Sequence, residues 1–484
     1  MYFSELSVVL SSCICFGDAI GFFGLGNSFR VLLRDVNVTS ETFGDPPPVK
    51  TKWIEQPLDH FNASETSTWR MRYFERLDLW KKGGPIYLFI YGEGPAGPTF
   101  LKTGILYELA KETKGAMFLS EHRFYGKSKP FDNLTVQNLM YLSSRQALAD
   151  TANLLQTIKM TSKFNSSKVV VVGGSYAGNL AAWMKLLYPN IVDAAIASSA
   201  PVLAKTDFHE YLEVVRDDFE QYGTEGCLTI ISDIFKRYEK LFGTPKGIAQ
   251  LKEEENICNN TDMTKLENMQ IFFMDKASVF MANAQYGTTD TIKDHCIEIS
   301  QSSRVLSVKD DESSNWSKRD DCFNYDFYEN VEESKKIDWL TAWMYQSCTE
   351  FGYFQSSSST SDLFTKNIPA ELFATWCMAA FGSEFNMNQT EEGVTKTNNL
   401  YGGCLPNVTN VVFVNGGLDP WSKLGVLEDI SYEAPAEIIP RVSHCSDLFS
   451  DSHDDPQELK DSRKYIKYLI KKWIGAGEFI KAVS

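Results

Sequence analysis

Residues 168–178, which read KVVVVGGSYAG, are the stretch of this sequence that decides the fold. Four consecutive valines are typical of a strand that is buried on both faces inside a parallel sheet. The turn that follows has the form small-x-Ser-x-small around Ser175, and a helical pattern occupies 179–187. Together they predict a nucleophile elbow, a tight turn that presents the Ser175 hydroxyl above the edge of a sheet. An ordinary glycine-rich turn with a surface serine is the alternative.

The segments around this stretch alternate between strand and helix patterns. Parallel strands joined by helices form layered α/β domains, so the alternation predicts a doubly wound, mostly parallel sheet. The apolar runs that predict further strands lie at 85–91, 116–119, 193–198 and 411–415, and the helical spacings lie at 143–158 and 462–481.

The alternation stops near Pro201 and returns only at the strand pattern of 411–415. The intervening residues contain helical patterns and most of the cysteines. We therefore expect one α/β domain, formed by 20–203 and 400–484, that a large and mainly helical insertion at 204–399 interrupts.

Composition and charge exclude several classes of protein. With 43% hydrophobic and 23% charged residues, the 484-residue chain has the composition of a globular protein and not of a disordered or fibrous one. Beyond the N-terminus, no stretch has the ~20 apolar residues that a spanning helix needs. The net charge of −16 repels polyphosphate, which argues against a nucleic-acid partner.

Residues 1–19 predict a secretory signal peptide. The run Leu6–Phe16 is apolar, and Gly17 and Ala19 offer a small-x-small cleavage site. Glu5 is acidic and no lysine or arginine precedes the run, so a buried N-terminal segment is the alternative.

The cysteines and glycosylation sequons also indicate an oxidising compartment. No two cysteines form a C-x-x-C pair, so a zinc site has no support. The eight cysteines that follow the signal fit disulfides, but the sequence alone does not show which cysteines pair with which. These cysteines are Cys227, Cys258, Cys296, Cys322, Cys348, Cys377, Cys404 and Cys445. The asparagines in sequons, where we expect N-linked glycans, are Asn37, Asn62, Asn133, Asn165, Asn259, Asn315, Asn388 and Asn407.

A nucleophilic serine needs a base, and on this topology the base follows the serine and the acid in the chain. His444 comes shortly after the returning strand and is the best candidate. His295 lies in the insertion beside Cys296, where a structural role is expected, and His453 lies in a charged loop.

The acid that orients the base is expected in the loop after the strand of 411–415, where ligands of open α/β sheets gather. Asp419 lies there, although an Asx turn before Pro420 would also account for it. Asp447 and Asp451 are alternatives, but they follow the histidine and do not fit the order.

An oxyanion hole requires two N–H donors aimed at the developing negative charge. The backbone N–H of Tyr176, at the start of the helix, is the first candidate. The second donor is expected from the loop after an early strand, where Gly92, Glu93 and Gly94 remain equal candidates.

The chain resembles the serine peptidase family of lysosomal Pro-X carboxypeptidase, dipeptidyl peptidase II and thymus-specific serine protease. The resemblance to the thymus-specific branch is carried by YLSSRQALAD (141–150), SYAG (175–178), SSAP (198–201) and TEFGYF (349–354). The resemblance implies an α/β-hydrolase fold under a helical cap, expected at 204–399, with nucleophile Ser175, acid Asp419 and base His444 and without metal or cofactor. The matching stretches include GGPIYLFIYGEGP (83–95), EHRFYGKSKP (121–130), GGSYAGNLAAW (173–183), VFVNGGLDPW (412–421) and SHCSDL (443–448).

The expected function is peptide hydrolysis through an acyl-enzyme, and the resemblance implies exopeptidase cleavage next to proline. Trp421 is a candidate wall of a proline-sized pocket, with simple packing as an equal alternative. An esterase or lipase and a non-catalytic binding protein on the same scaffold are the competing functions, and a homodimer is left open. An ordinary histidine, with a pKa of ~6.5, is mostly protonated at pH 5, so a lysosomal enzyme must lower that pKa or work best nearer neutrality.

Overall fold

A computed structural model of the protein describes residues 49–302, 322–359 and 363–476. The predicted signal peptide lies outside the described residues. Within them, the chain divides into two compact units. The first, here called the sheet unit, comprises 49–203, 398–417 and 424–476, and the second, the helical unit, comprises the described parts of 204–397 together with 418–423.

The sheet unit is built on an eight-stranded sheet. The strands of the described chain are β1 (Lys50–Pro57), β2 (Thr68–Arg76), β3 (Ile86–Ile90), β4 (Ala116–Ser120), β5 (Val169–Gly174), β6 (Ala194–Ser198), β7 (Lys205–Asp207), β8 (Gly352–Phe354), β9 (Val411–Gly416) and β10 (Ala436–Ile439).

The strand order in this sheet is β1-β2-β4-β3-β5-β6-β9-β10. The pairs β1–β2 and β2–β4 are antiparallel, and all the other neighbours are parallel. Every residue of β3, β4, β5, β6 and β9 is buried, as expected for strands covered on both faces. The predicted fold class, a mostly parallel α/β sheet of the α/β-hydrolase type, is confirmed.

The helices account for most of the remaining described chain, and none of those searched is long and apolar enough to cross a bilayer. They are α1 (Ile105–Thr113), α2 (Val136–Leu139), α3 (Ser144–Met160), α4 (Tyr176–Leu187), α5 (Glu210–Tyr222), α6 (Cys227–Phe242), α7 (Pro245–Glu254), α8 (Leu266–Tyr286), α9 (Thr289–Ser302), α10 (Phe327–Ser334), α11 (Asp338–Gln346), α12 (Ala370–Phe381), α13 (Met387–Tyr401) and α14 (Gln457–Trp473).

Two helices differ from the predicted bounds by three residues or more. Helix α4 begins three residues earlier than predicted, because the chain turns helical directly after Ser175. Helix α14 begins at Gln457 and not at 462, directly after Pro456. It ends at Trp473 and not at 481, since Gly475 adopts the positive φ of 68° that is typical just after a helix C-terminus.

Three disulfides lie in the helical unit, where the sequence concentrates its cysteines. The pairs are Cys227–Cys296, Cys258–Cys322 and Cys348–Cys377. Within the described ranges, Cys404 and Cys445 form no disulfide, so the expectation that all eight cysteines pair holds for six of them. Closing loops of 69, 64 and 29 residues lowers the entropy of the unfolded chain and so stabilises this unit.

The helical unit also buries an acidic side chain, Asp218 of α5, which is 5% exposed and whose Oδ2 has no hydrogen-bond partner among the described residues. Burial, with the nearby charges of Asp217 and Asp419, raises the pKa of Asp218 to about 8. The unfolded chain has an aspartate pKa of ~3.9, so the free energy of unfolding falls as the pH rises from about 4 towards 8.

Asp218→Asn is therefore expected to stabilise the protein near neutrality, because asparagine is neutral like the protonated acid. Thermal unfolding should show Tm raised by at least ~2 °C at pH 7.5 and little changed at pH 4.5. Asp233→Asn, which alters an exposed aspartate of α6 that does not act on Asp218, is the matched control. An equal shift at both pH values would contradict the assigned titration.

Candidate active site

The predicted nucleophile turn is present between β5 and α4. Ser175 has φ 57° and ψ −133°, a conformation that costs about 1–3 kcal/mol in a non-glycine residue. Its N–H donates to the Ser198 carbonyl over 2.9 Å, and its own carbonyl accepts from the Gly178 N–H at 2.8 Å. Such strain persists only where the surroundings hold it, and it is found mostly at functional sites.

The small residues around the serine are required by close backbone approach. A Cβ added to Gly173 would lie 2.0 Å from the Ala177 carbonyl oxygen. A Cβ on Gly178 would lie 2.7 Å from the Ser198 oxygen. The turn can therefore exist only with glycine at these two positions.

The two predicted sources of oxyanion donors lie against each other. Tyr176 is the first residue of α4, where helix N–H groups lack partners within the helix. A Cβ built on Gly92, in the loop after β3, would lie 3.3 Å from the Ala177 nitrogen and 3.5 Å from Tyr176 Cδ1. Glu93 and Gly94 continue the same buried loop.

The segment after β4 supports this loop, and sequence reasoning gave it no role. Glu121 pairs with Arg72 and accepts hydrogen bonds from the Ala96 N–H at 3.0 Å and from Ser128 Oγ at 2.7 Å. Arg123 makes a bidentate ion pair with Asp150, at 2.6 and 2.8 Å. Three consecutive ionisable residues directly after a buried strand are the sequence signal that could have identified the segment.

His444, the predicted base, is 1% exposed and lies in the loop after β10. The neighbouring Cys445 N–H donates to Ser199 Oγ at 2.9 Å, and Ser199 directly follows β6. Since Ser198 accepts from the Ser175 N–H, the end of β6 contacts both the nucleophile turn and the loop of His444. The structure thus brings Ser175 and the His444 loop to the carboxyl edge of the parallel strands.

Asp447, the alternative acid, is buried in the same loop. Its Oδ1 accepts from Ser198 Oγ at 2.5 Å. Burial raises the pKa of Asp447 to about 6, although that hydrogen bond and the charges of Arg463 and His444 act in the opposite direction.

Asp419, the predicted acid, is fully buried three residues after the end of β9. Its Oδ1 accepts from the Trp421 N–H at 3.0 Å, which is the Asx turn that the sequence offered as an alternative. The carboxylate is therefore held in a fixed orientation by its own loop.

Trp421, predicted either to line a pocket or to pack, is 2% exposed. Its Nε1–H donates to Gln285 Oε1 at 3.1 Å, and the Tyr211 hydroxyl donates to the same oxygen at 2.5 Å. The rings of Phe208, Tyr211 and Tyr353 lie 5.4, 5.6 and 5.3 Å from the indole. Packing inside the helical unit accounts for all these contacts.

The rejected candidates have other surroundings. His295 is packed against Phe219 and Phe280, and burial lowers its pKa. The His453 side chain is 99% exposed beside Asp454, and Asp451 pairs with Arg463 at 2.9 Å. In the described ranges, no group of three or more His, Cys, Asp or Glu residues could hold a metal ion.

Comparison with known proteins relates most of the chain to serine peptidases. The pattern of the family described as serine carboxypeptidase S28 matches residues 56–466. The thymus-specific serine protease of Mus musculus is 33% identical over 450 residues, covering 88% of this chain and 87% of the relative.

Two further relatives match over similar lengths. The prolyl carboxy peptidase like protein 5 of Caenorhabditis elegans is 31% identical, covering 87% of this chain and 89% of its own. The lysosomal Pro-X carboxypeptidase of Bos taurus is 29% identical, covering 90% and 91%. The predicted resemblance is confirmed: the chain is a serine-type peptidase and belongs to the serine carboxypeptidase S28 family.

Proposed function

We propose that this peptidase cleaves peptide bonds through a triad of Ser175, His444 and Asp419 with a covalent acyl-enzyme. The observation that carries the proposal is the strained turn at Ser175, which sets the hydroxyl ahead of the first N–H groups of α4. The contacts of Ser198 and Ser199 with the turn and with the histidine loop support the pairing of nucleophile and base.

In the proposed reaction, His444 removes the proton of the Ser175 hydroxyl while Oγ attacks the scissile carbonyl carbon. The resulting oxyanion accepts hydrogen bonds from the Tyr176 N–H and from an N–H of the loop Gly92–Gly94. His444 then gives its proton to the leaving amine. Asp419 fixes the imidazole tautomer, and water hydrolyses the ester on Ser175 by the same steps in reverse.

We propose that the substrates are peptides with proline next to the cleaved bond, and that the enzyme acts from a chain end. The name of the bovine relative, Pro-X carboxypeptidase, and the family description, serine carboxypeptidase, support this substrate class. We propose that Trp421, which packs against three aromatic rings, supports the wall of the proline site.

We also propose that the protein is a glycoprotein of the lysosome or the extracellular space. Three disulfides support an oxidising compartment, and the bovine and mouse relatives are named lysosomal Pro-X carboxypeptidase. The sequon asparagines within the described ranges are all exposed, as glycan attachment requires: Asn62, Asn133, Asn165, Asn259, Asn388 and Asn407.

The test is mass spectrometry of digests from matched peptides that differ only in proline or alanine at one position. Each peptide is prepared with free and with blocked termini, and wild type is compared with Ser175→Ala. We expect trimming from one end beside proline, abolished by blocking that end and lost in the variant.

Other outcomes would assign other functions. Cleavage of acyl esters with all peptides intact would replace the proposal by an esterase. Failure of a fluorophosphonate to label Ser175 in the folded protein would leave a binding protein on a hydrolase scaffold.

A further inference from the structure

His122 is a buried residue of the sheet unit to which the proposed mechanism gives no role. It lies two residues after the end of β4 and is 4% exposed. Its ring makes two hydrogen bonds: Nδ1 lies 2.7 Å from the Arg123 carbonyl oxygen, and Nε2 lies 3.0 Å from the Tyr176 hydroxyl. His122 therefore contacts the side chain of Tyr176, the residue whose backbone N–H is the proposed oxyanion donor.

The chemistry of the two partners fixes the direction of both bonds. A carbonyl oxygen can only accept, so the proton of the neutral ring must lie on Nδ1. Nε2 is then an acceptor, and the Tyr176 hydroxyl donates to it. Burial lowers the pKa of His122 to about 4, so the ring stays neutral from pH 5 to 8 and the arrangement does not change.

Packing restricts the tyrosine further. The His122 ring lies 5.6 Å from the ring of Tyr176 and 5.0 Å, edge to face, from that of Tyr125. On another part of the tyrosine ring, a Cβ built on Gly92 would lie 3.5 Å from Cδ1. Tyr176 is thus held at its hydroxyl and against the Gly92 loop.

A held side chain matters here because the backbone next to it is strained. The peptide bond that carries the Tyr176 N–H follows directly after Ser175, whose φ is 57°. The surroundings must maintain this strained backbone conformation. A rotation of the Ser175–Tyr176 peptide would turn the N–H away from the oxyanion. An anchor on the tyrosine ring resists that rotation.

We propose that His122 is a positioning residue that holds Tyr176 by its hydroxyl and so keeps the Tyr176 N–H aimed at the oxyanion. The His122 ring is 4% exposed and both of its nitrogens make hydrogen bonds within the protein, so the ring acts through Tyr176 and not on substrate. The inference rests on the proposed function, since it assigns the support of that oxyanion hole.

Two substitutions of His122 test the inference, because each amide side chain places a polar atom near one of the two ring nitrogens. In His122→Gln the side-chain oxygen can reach the Tyr176 hydroxyl as Nε2 does, whereas in His122→Asn the amide reaches only the position of Nδ1. We expect the asparagine variant to lose ~10-fold or more in kcat, short of the ~10²–10³-fold for an oxyanion donor removed outright, with KM within about twofold. The glutamine variant should recover most of kcat.

Tyr176→Phe should lose as much kcat as His122→Asn does. The double variant, His122→Asn with Tyr176→Phe, should lose no more kcat than either single variant. The difference from wild type should stay constant between pH 5 and 8. His60→Asn, which removes a half-buried histidine bonded to Asp150, is the control for loss of a ring nearby. Tm of each variant separates misfolding from misplacement.

The rate at which a fluorophosphonate labels Ser175 is the second readout, because it requires the oxyanion hole but no peptide. Slower labelling in His122→Asn with recovery in His122→Gln supports the inference even if no peptide is cleaved, an outcome that would overturn only the proposed substrate class. Equal labelling and equal kcat in wild type and the asparagine variant would overturn the inference while leaving the peptidase intact. Equal losses in both amide variants would overturn it too.

Discussion

His444→Ala is expected to lower kcat for a cleaved peptide by ~10⁴-fold or more, because the Ser175 hydroxyl then has no group to take its proton. The KM should change little, since the imidazole acts mainly after the substrate is bound. Steady-state kinetics on the best peptide of the proline series would measure both constants.

The matched control is His453→Ala, which removes the other histidine of the same chain region. Its side chain is 99% exposed, so we expect kcat within about twofold of wild type. A double variant, Ser175→Ala with His444→Ala, should be no slower than either single variant, because the two residues act as one unit. If His444→Ala retained a tenth of the wild-type kcat, the base would have to be another group.

The sheet shows which elements a sequence can predict. Strands β3, β4, β5, β6 and β9 are buried throughout, and their continuous apolar runs predicted them. Strands β1 and β10 lie at the two edges of the sheet. Strand β1 carries exposed polar residues, and β10 has only four residues, one of them a glutamate, so no continuous apolar run marks either strand. In β2 the alternation of Trp69 and Met71 with exposed neighbours was a usable signal.

The site divides along a similar line. Ser175 and its turn were predictable because the small residues and the strand before them form a local pattern. The contact of His122 with Tyr176 joins residues 54 positions apart, and no local pattern encodes it. The same holds for the bond between Ser198 and Asp447, which are 249 positions apart.

Two buried aspartates compete for the role of the acid, and their asparagine variants separate them. Asp419→Asn should lower kcat by ~10⁴-fold at neutral pH, because an amide at this place favours the wrong tautomer of the base. Kinetics across pH 5–9 would measure the loss for both variants.

Asp447→Asn should instead retain kcat within about threefold at pH 7.5. The pKa of Asp447 is about 6, so at neutral pH its carboxylate is ionised. Asparagine removes that charge while keeping an oxygen for the bond from Ser198. Because both variants exchange one oxygen for NH₂ in a buried side chain, loss of packing cannot explain a difference between them. The reverse pattern, a large loss of kcat only in Asp447→Asn, would assign the role of the acid to Asp447. Asp419 would then keep the structural role of its Asx turn.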